Sequence, residues 1–295
     1  MRKAIWIIGA LILLLITSRL TYSYYHPRPA ENDVGVCLHL SDYGCSTIYY
    51  LTELGVKWVR TDWLLANDYT MRDYSQNLQD NSINLLAIVN MSTFDQIDLE
   101  EWNETVTAIV NYEGFNNTDA VEICNEPNNS AYFIPAETYY EMLKSAYTII
   151  KNYTEIPVVF AGVSPNIDGW QDYLNAVFAH DDVEDYFDYM GIHFYNDGMQ
   201  ENLSVLQFVE GLTTKPIWLT ETGQPSATEN YNEISQAEYL SSVCSTFNPL
   251  VKKMFIYELK DNSGDFDNKE SHFGLLTAEG TQKEAYWVVC DINGK

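Results

Sequence analysis

The chain has 295 residues, enough to bury a full core in one barrel domain or in two smaller domains. Its 42 acidic residues against 16 basic ones leave a formal net charge of -26, which argues strongly against nucleic acid or an anionic membrane surface as a partner, because both are held through Lys and Arg. With 14% aromatic residues and long apolar runs, the charge reads as an acidic, solubilising surface on an ordinary packed globule, with salt adaptation as the minority reading.

The N-terminus reads as a targeting segment. Met1-Arg2-Lys3 precedes an apolar run over residues 4–16 and then Thr17-Ser18-Arg19; the run matches a signal-peptide core and falls short of the roughly 20 residues that span a bilayer. Residues 1–20 are therefore expected to be a signal peptide or an N-terminal membrane anchor, residues 21–32, with Pro27 and Pro29, a linker, and residues 33–295 the functional domain. The domain is then secreted or held on the extracellular face of the membrane, with any attachment running through the N-terminal segment only. Sequons at Asn90, Asn103, Asn116, Asn128, Asn152 and Asn202 fit a secretory route. The five cysteines (Cys37, Cys45, Cys124, Cys244 and Cys290) show no Cys-x-x-Cys spacing and no clustering with His, so no zinc site is implied. Export allows at most two disulfides among them. Cys37 and Cys124 fall in apolar strands and read as small core residues.

Along the domain, strands are expected at 33–40, 56–63, 83–90, 120–125, 157–163, 186–195, 216–221 and 254–257. Helices are expected at 45–54, 74–80, 99–112, 135–152, 170–180, 204–212, 234–247 and 283–292, the second of them weak. Eight strand-helix pairs in this length give the size and rhythm of a single α/β domain, a (β/α)8 TIM barrel. A doubly wound sheet is the runner-up. Candidate polar residues at the C-terminal ends of strands one, two, four, six, seven and eight favour the barrel, because a shared rim demands that placement.

Two of those strands carry the chemistry. Val121-Glu122-Ile123-Cys124-Asn125-Glu126-Pro127 and Trp218-Leu219-Thr220-Glu221-Thr222-Gly223 are apolar runs that each end in a glutamate and a turn residue. Cleaving an acetal needs one carboxyl held protonated for the leaving oxygen and one held ionised against the anomeric carbon, so the pair is a glycosidase hypothesis. By alternation Trp58, Arg60 and Asp62 share a face, and an inward Arg60 would stabilise a carboxylate at the barrel mouth; a surface ion pair is its plainer reading. Glu122 shares a face with Cys124 and Glu126, and a buried carboxylate there needs Arg60 or Lys57 as a partner.

Together with Tyr-Glu-Leu-Lys-Asp at 257–261 and His-Phe-Gly-Leu-Leu at 272–276, these motifs resemble the clan A retaining glycoside hydrolases, whose strand four ends in Asn-Glu-Pro and strand seven in glutamate. The likeness runs from Val34 to Val289 and is strongest to family 39, including its polysaccharide hydrolases, and next to family 5. The resemblance implies Glu126 as acid/base, with a raised pKa, and Glu221 as nucleophile. It implies Asn125 as a partner of the sugar 2-hydroxyl, and His193 with Tyr195 as the clan's His-x-Tyr pair, whose tyrosine donates to the nucleophile. A satisfied core histidine is the plainer reading of His193. His39 ends strand one in a similar position. Tyr257 stands where many relatives carry a sugar-stacking Trp, and Cys124 where the family often has another Trp. Trp63 and Trp170 are further candidates for stacking on carbohydrate.

The leading reading is an exported retaining β-glycosidase acting on an oligo- or polysaccharide, with no metal or organic cofactor. Beside it stand a carbohydrate-binding protein on a degenerate barrel and a transglycosylase that remodels a cell-surface polymer. Short connections after strands five and six point to an open groove.

Overall fold

Closure of the sheet decides between the two α/β architectures. In a computed structural model that describes residues 34–44, 46–63, 68–91, 97–228, 230–262 and 269–295, eight parallel strands pair in sequence order and the first pairs with the last. They are β1 (Gly35–Cys37), β2 (Trp58–Asp62), β3 (Asn84–Val89), β4 (Ala120–Ile123), β5 (Val158–Val163), β6 (Tyr189–Phe194), β7 (Ile217–Thr222) and β8 (Lys253–Ile256). Each is followed by a helix: α1 (Thr47–Leu54), α2 (Asp68–Asp80), α3 (Leu99–Val110), α4 (Ala136–Tyr153), α5 (Trp170–Val177), α6 (Met199–Leu212), α7 (Glu233–Phe247) and α8 (Glu284–Ile292). This is the (β/α)8 barrel. The expected signal or anchor, the linker and Cys45 lie outside the described residues.

The strands form because they are buried on both faces, which their apolar runs without alternation announce. One face fills the barrel: Cys37, Leu86, Ala120, Val159, Trp218 and Phe255, joined by Trp58 and Tyr189, make a plug below the rim. The other face packs on the helices. In α4 the buried stripe Tyr139, Met142, Leu143, Ala146 and Ile150 follows the helical period and docks on the sheet. Gly55, at φ 71°, ends α1 in the left-handed conformation that glycine enters without a Cβ penalty.

Several boundaries differ from the expectation. Helix α2 starts earlier than residue 74, and α6 begins at Met199, five residues before the expected start. The expected 33–40 strand shrinks to Gly35–Cys37 because residues 40–42 turn into a 3-10 helix, and residues 183–186 do the same before β6. Glu122 and Cys124 do not share a face. Strand β4 stops at Ile123, and Cys124 packs outward with the sheet-to-helix layer. Trp63 is buried against Tyr112 and Phe115 and offers no face to carbohydrate, and the half-buried Trp170 packs edge-on with Phe208 away from the residues that line the cleft described below. The described cysteines Cys37, Cys124, Cys244 and Cys290 are buried and free. Among the sequons, Asn202 and Asn128 are buried and hydrogen-bonded, Asn128 through both side-chain atoms to Ser164. Neither has room for a glycan in the folded chain, whereas Asn116 and Asn152 are exposed.

Candidate active site

The C-terminal ends of the strands open on a cleft of about 760 Å³, within the size of small-ligand sites. The chain leaving β4 is bent sharply to reach it. Cys124 at φ 65° and Glu126 at φ 43° both hold left-handed backbone without being glycine, a strain of about 1–3 kcal/mol each that must be held in place by neighbours. Three backbone contacts do so. The Cys124 N–H donates to the Val89 carbonyl at 2.9 Å, the Asn125 N–H to Asn90 Oδ1 at 3.0 Å, and the Glu126 N–H to the Gly162 carbonyl at 3.0 Å. The bend turns Asn125 and Glu126 into the cleft and Cys124 away from it.

Arg60 is the hub beneath the cleft. Its side chain is 2% exposed and points inward, so the surface ion pair is overturned. Nε donates to Glu122 Oε2 at 2.6 Å, Nη1 to Glu221 Oε1 at 2.5 Å, and Nη2 to Asn125 Oδ1 at 2.7 Å. Burial alone would lower the Arg60 pKa, but Glu122 and Glu221 outweigh it and hold the guanidinium charged. Glu122 takes a second donor, the Gly162 N–H at 2.8 Å, and is therefore a structural counter-ion inside the barrel. Glu221, at the end of β7, accepts the Tyr195 hydroxyl at 2.5 Å on its other oxygen.

Glu126 departs from the expectation. Burial pushes its carboxyl up, but the hydrogen bond and charge of His193, the Asn129 amide and Arg60 together bring it down to about 2. His193 Nδ1 lies 2.9 Å from Glu126 Oε1 and 3.5 Å from Glu221 Oε2, and Asn129 Nδ2 donates to Glu126 Oε2 at 2.9 Å. His193 shifts the other way: burial disfavours its charge, yet the Glu221 charge and the Glu126 contact raise its pKa. His193 is fully buried, under the carboxylates rather than on the cleft wall. Its Nε2 has no hydrogen-bond partner among the described residues and faces Gly162, where an added Cβ would lie 2.0 Å from it. Only glycine leaves space for that ring.

His39 and Tyr257 stand on the opposite wall. His39 Nε2 lies 2.8 Å from Glu258 Oε2 and 3.2 Å from the Tyr257 hydroxyl. The Glu258 carboxylate raises His39 to about 9 against the opposing effect of burial. Burial in turn pushes Glu258 up, and His39 pulls it back. A histidine whose folded pKa is raised above 6.5 adds stability that is complete below that pH and drains as the pH climbs through about 9. NMR titration of the imidazole is expected to place His39 near 9 in the wild type and closer to 6.5 in Glu258→Gln. A wild-type midpoint near 6.5 would dissolve the pair.

Of the residues singled out in the sequence, Arg60, Asn125, Glu126, Glu221, Tyr195, His39 and Tyr257 line this one cleft, and His193 lies beneath it on Glu126. Four partners went unread. Asn90 orients Asn125 and donates to Asp62 at 2.8 Å; Asn129 holds Glu126; Gly162 admits His193; Glu258 charges His39. The strand-end positions of Asn90 and Asp62 carried a usable signal, whereas nothing local marked Gly162.

Residues 59–285 match the family model described as the glycosyl hydrolase catalytic core. The chain belongs to this family. Its barrel also aligns with solved structures of low sequence identity. One is a family 39 glycoside hydrolase from the gut symbiont Bacteroides cellulosilyticus WH2, at TM-score 0.69 and 21% identity over 90% of this chain and 64% of that one. Another is a glucosidase from Croceicoccus marinus, at TM-score 0.65 and 14% identity over 83% of this chain and 62% of that one. A third is an active-site mutant of the Rhizomucor miehei beta-1,3-glucanosyltransferase in complex with laminaritriose, at TM-score 0.63 and 16% identity over 86% and 97%. This glycosyl hydrolase core thus spans a little under two thirds of the first two. No curated protein matches the sequence.

Proposed function

We propose that this glycosyl hydrolase domain is a retaining β-glycosidase, cleaving O-glycosidic bonds of an oligo- or polysaccharide through a covalent glycosyl-enzyme intermediate. One distance carries the reading. One carboxylate oxygen of Glu126, one of Glu221 and a ring nitrogen of His193 all lie within 4.8 Å of one another. That suits the roughly 5–5.5 Å carboxyl separation of retaining enzymes and is short of the roughly 6.5–9.5 Å that an inverting enzyme needs to admit water.

Glu221, gripped by Arg60 and Tyr195, attacks the anomeric carbon, and the bond to the leaving oxygen breaks as Glu126 protonates it. Glu126 then takes a proton from the water that releases the sugar. The proton reaches Glu126 from His193 along their 2.9 Å hydrogen bond. Expulsion of water by a bound sugar penalises the imidazolium-carboxylate form relative to the neutral pair, which moves the proton onto Glu126 when the leaving oxygen is in place. Asn125, oriented by Arg60 and Asn90, presents its amide to the sugar 2-hydroxyl. Export through residues 1–20 would bring the cleft to an extracellular polymer.

The test is a panel of β-linked trisaccharides of glucose, mannose, galactose, xylose and N-acetylhexosamine, with matching aryl β-glycosides, read by NMR as product forms. The β-anomer is expected first. Glu126→Gln is expected to lose about 10²–10⁴-fold on sugar leaving groups while still turning over dinitrophenyl glycosides, which need no proton. An α-anomer appearing first would end the retaining assignment, and polysaccharide binding without any cleavage would favour a binding module. Likeness to a glucanosyltransferase favours transfer as the second reading, which the same panel detects as products longer than the substrate.

A further inference from the structure

We infer that Lys283 and Gln236, two buried side chains outside the cleft, are positioning residues that hold Tyr195 on Glu221 by clamping a strap over residues 272–276. This rests on the role proposed for Glu221 as nucleophile. Lys283, just before α8, is 2% exposed, and Gln236 in α7 is 1% exposed. Lys283 Nζ donates to Asp261 Oδ1 at 2.7 Å, to Ser226 Oγ at 2.9 Å and to the His272 carbonyl at 3.5 Å, which accounts for its three protons. Asp261 Oδ1 also accepts the Gly274 N–H at 2.8 Å. From α7, Gln236 Nε2 reaches the carbonyls of Gln224 at 2.9 Å, Phe273 at 3.1 Å and Gly274 at 3.3 Å. The strap is thus gripped by its backbone, and the chain just past Glu221 is held on the same amide.

What the strap carries to the site is Phe273. Its buried ring stands edge-to-face with Tyr195 at 5.8 Å and with Tyr257 at 5.6 Å between centroids, and those two tyrosines meet each other edge-to-face at 6.4 Å. Contacts of this kind set the direction of a ring as well as its place. Tyr195 stands just past β6 and Tyr257 just past β8, so the barrel fixes their backbones, whereas Phe273 braces the Tyr195 ring from the strap. The hydroxyl on that ring donates to Glu221 Oε2 at 2.5 Å, and a tilt of the ring would carry it off the carboxylate. A buried ion pair adds little stability beyond that of apolar side chains of similar volume. What Lys283 and Asp261 contribute is geometry, and that geometry ends at the nucleophile.

The test is a double-mutant cycle in the full chain, read as kcat and KM on the β-linked trisaccharide cleaved best in the panel. Tyr195→Phe is expected to lower kcat by about 10–100-fold, the worth of one hydrogen bond to a charged group. Lys283→Met combined with Asp261→Asn, so that no charge is stranded, should lower kcat by about tenfold with KM within about twofold of wild type. Added to Tyr195→Phe, the same pair should cost less than about a further twofold, because the hydroxyl it positions is already gone. Gln236→Met strands no charge, should behave in the same way, and carries the test if the pair variant does not fold. Crystal structures of the variants are expected to show Phe273 displaced and the Tyr195 hydroxyl drawn away from Glu221. Equal losses with and without that hydroxyl, an unchanged kcat, or Phe273 and Tyr195 unmoved in the crystal would overturn the positioning role while leaving the two-glutamate site standing. A wild type that cleaves no member of the panel overturns the reading of Glu221 and this inference with it.

Discussion

Glu221→Gln is expected to lower turnover of every substrate by at least about 10⁴-fold, because an amide cannot form the glycosyl ester that the proposed mechanism runs through. The substitution keeps the size of the side chain. Its carbonyl oxygen can still accept from Tyr195 or Arg60, and Arg60 retains Glu122 as counter-ion at 2.6 Å, so the variant should unfold at a urea concentration close to wild type. Loss of chemistry is then separable from loss of fold. Glu221→Gly sharpens the point, since azide can enter the space left by the carboxylate. With a dinitrophenyl β-glycoside, azide attacks the anomeric carbon, the phenolate departs, and the product is the α-glycosyl azide. Recovery of turnover with that inverted product identifies Glu221 as the group that forms the covalent bond. A Glu221→Gln enzyme within tenfold of wild type would remove it from the reaction.

What the sequence made legible follows from where each residue's information sits. Strands buried on both faces leave unmistakable apolar runs, and Glu126, Glu221 and Arg60 stand out because a charge interrupts such a run. Alternation placed Arg60 with Trp58 inside the barrel, and the structure keeps that register. It failed at Cys124, where the strand ends and the backbone turns left-handed at φ 65°. No periodicity survives such a bend. The downward shift of the Glu126 pKa was not legible either, since it is set by His193 and Asn129, one of them a contact 67 residues away. Gly162 was invisible for the same reason: its lack of a side chain matters only once the ring of His193 has been packed over it. Glu258 follows Tyr257 directly at the end of β8, and no pattern marked it, yet it is 1% exposed and lies 2.8 Å from His39 at the end of the neighbouring strand β1.

Arg60→Met is expected to cost about 3–5 kcal/mol of folding stability, a large part of the roughly 5–15 kcal/mol that a domain possesses. Among the described residues the guanidinium is the one group that bonds to both carboxylates. Without it, among the described residues, Glu122, fully buried, keeps the Gly162 N–H, and Glu221 keeps Tyr195 and the more distant His193. Methionine fills similar length and brings no donor. Urea denaturation should therefore show a lower midpoint with an unchanged slope. Adding Glu122→Gln to Arg60→Met removes one stranded charge and should recover part of the loss, whereas Glu122→Gln alone should not stabilise the wild type. Arg60→Lys tests geometry separately from charge. A single ammonium cannot reproduce the fork that reaches Glu122, Glu221 and Asn125 at once, so it should recover stability more fully than activity. An Arg60→Met protein as stable as wild type would mean that the bonds from this arginine to Glu122 and Glu221 add nothing to the fold.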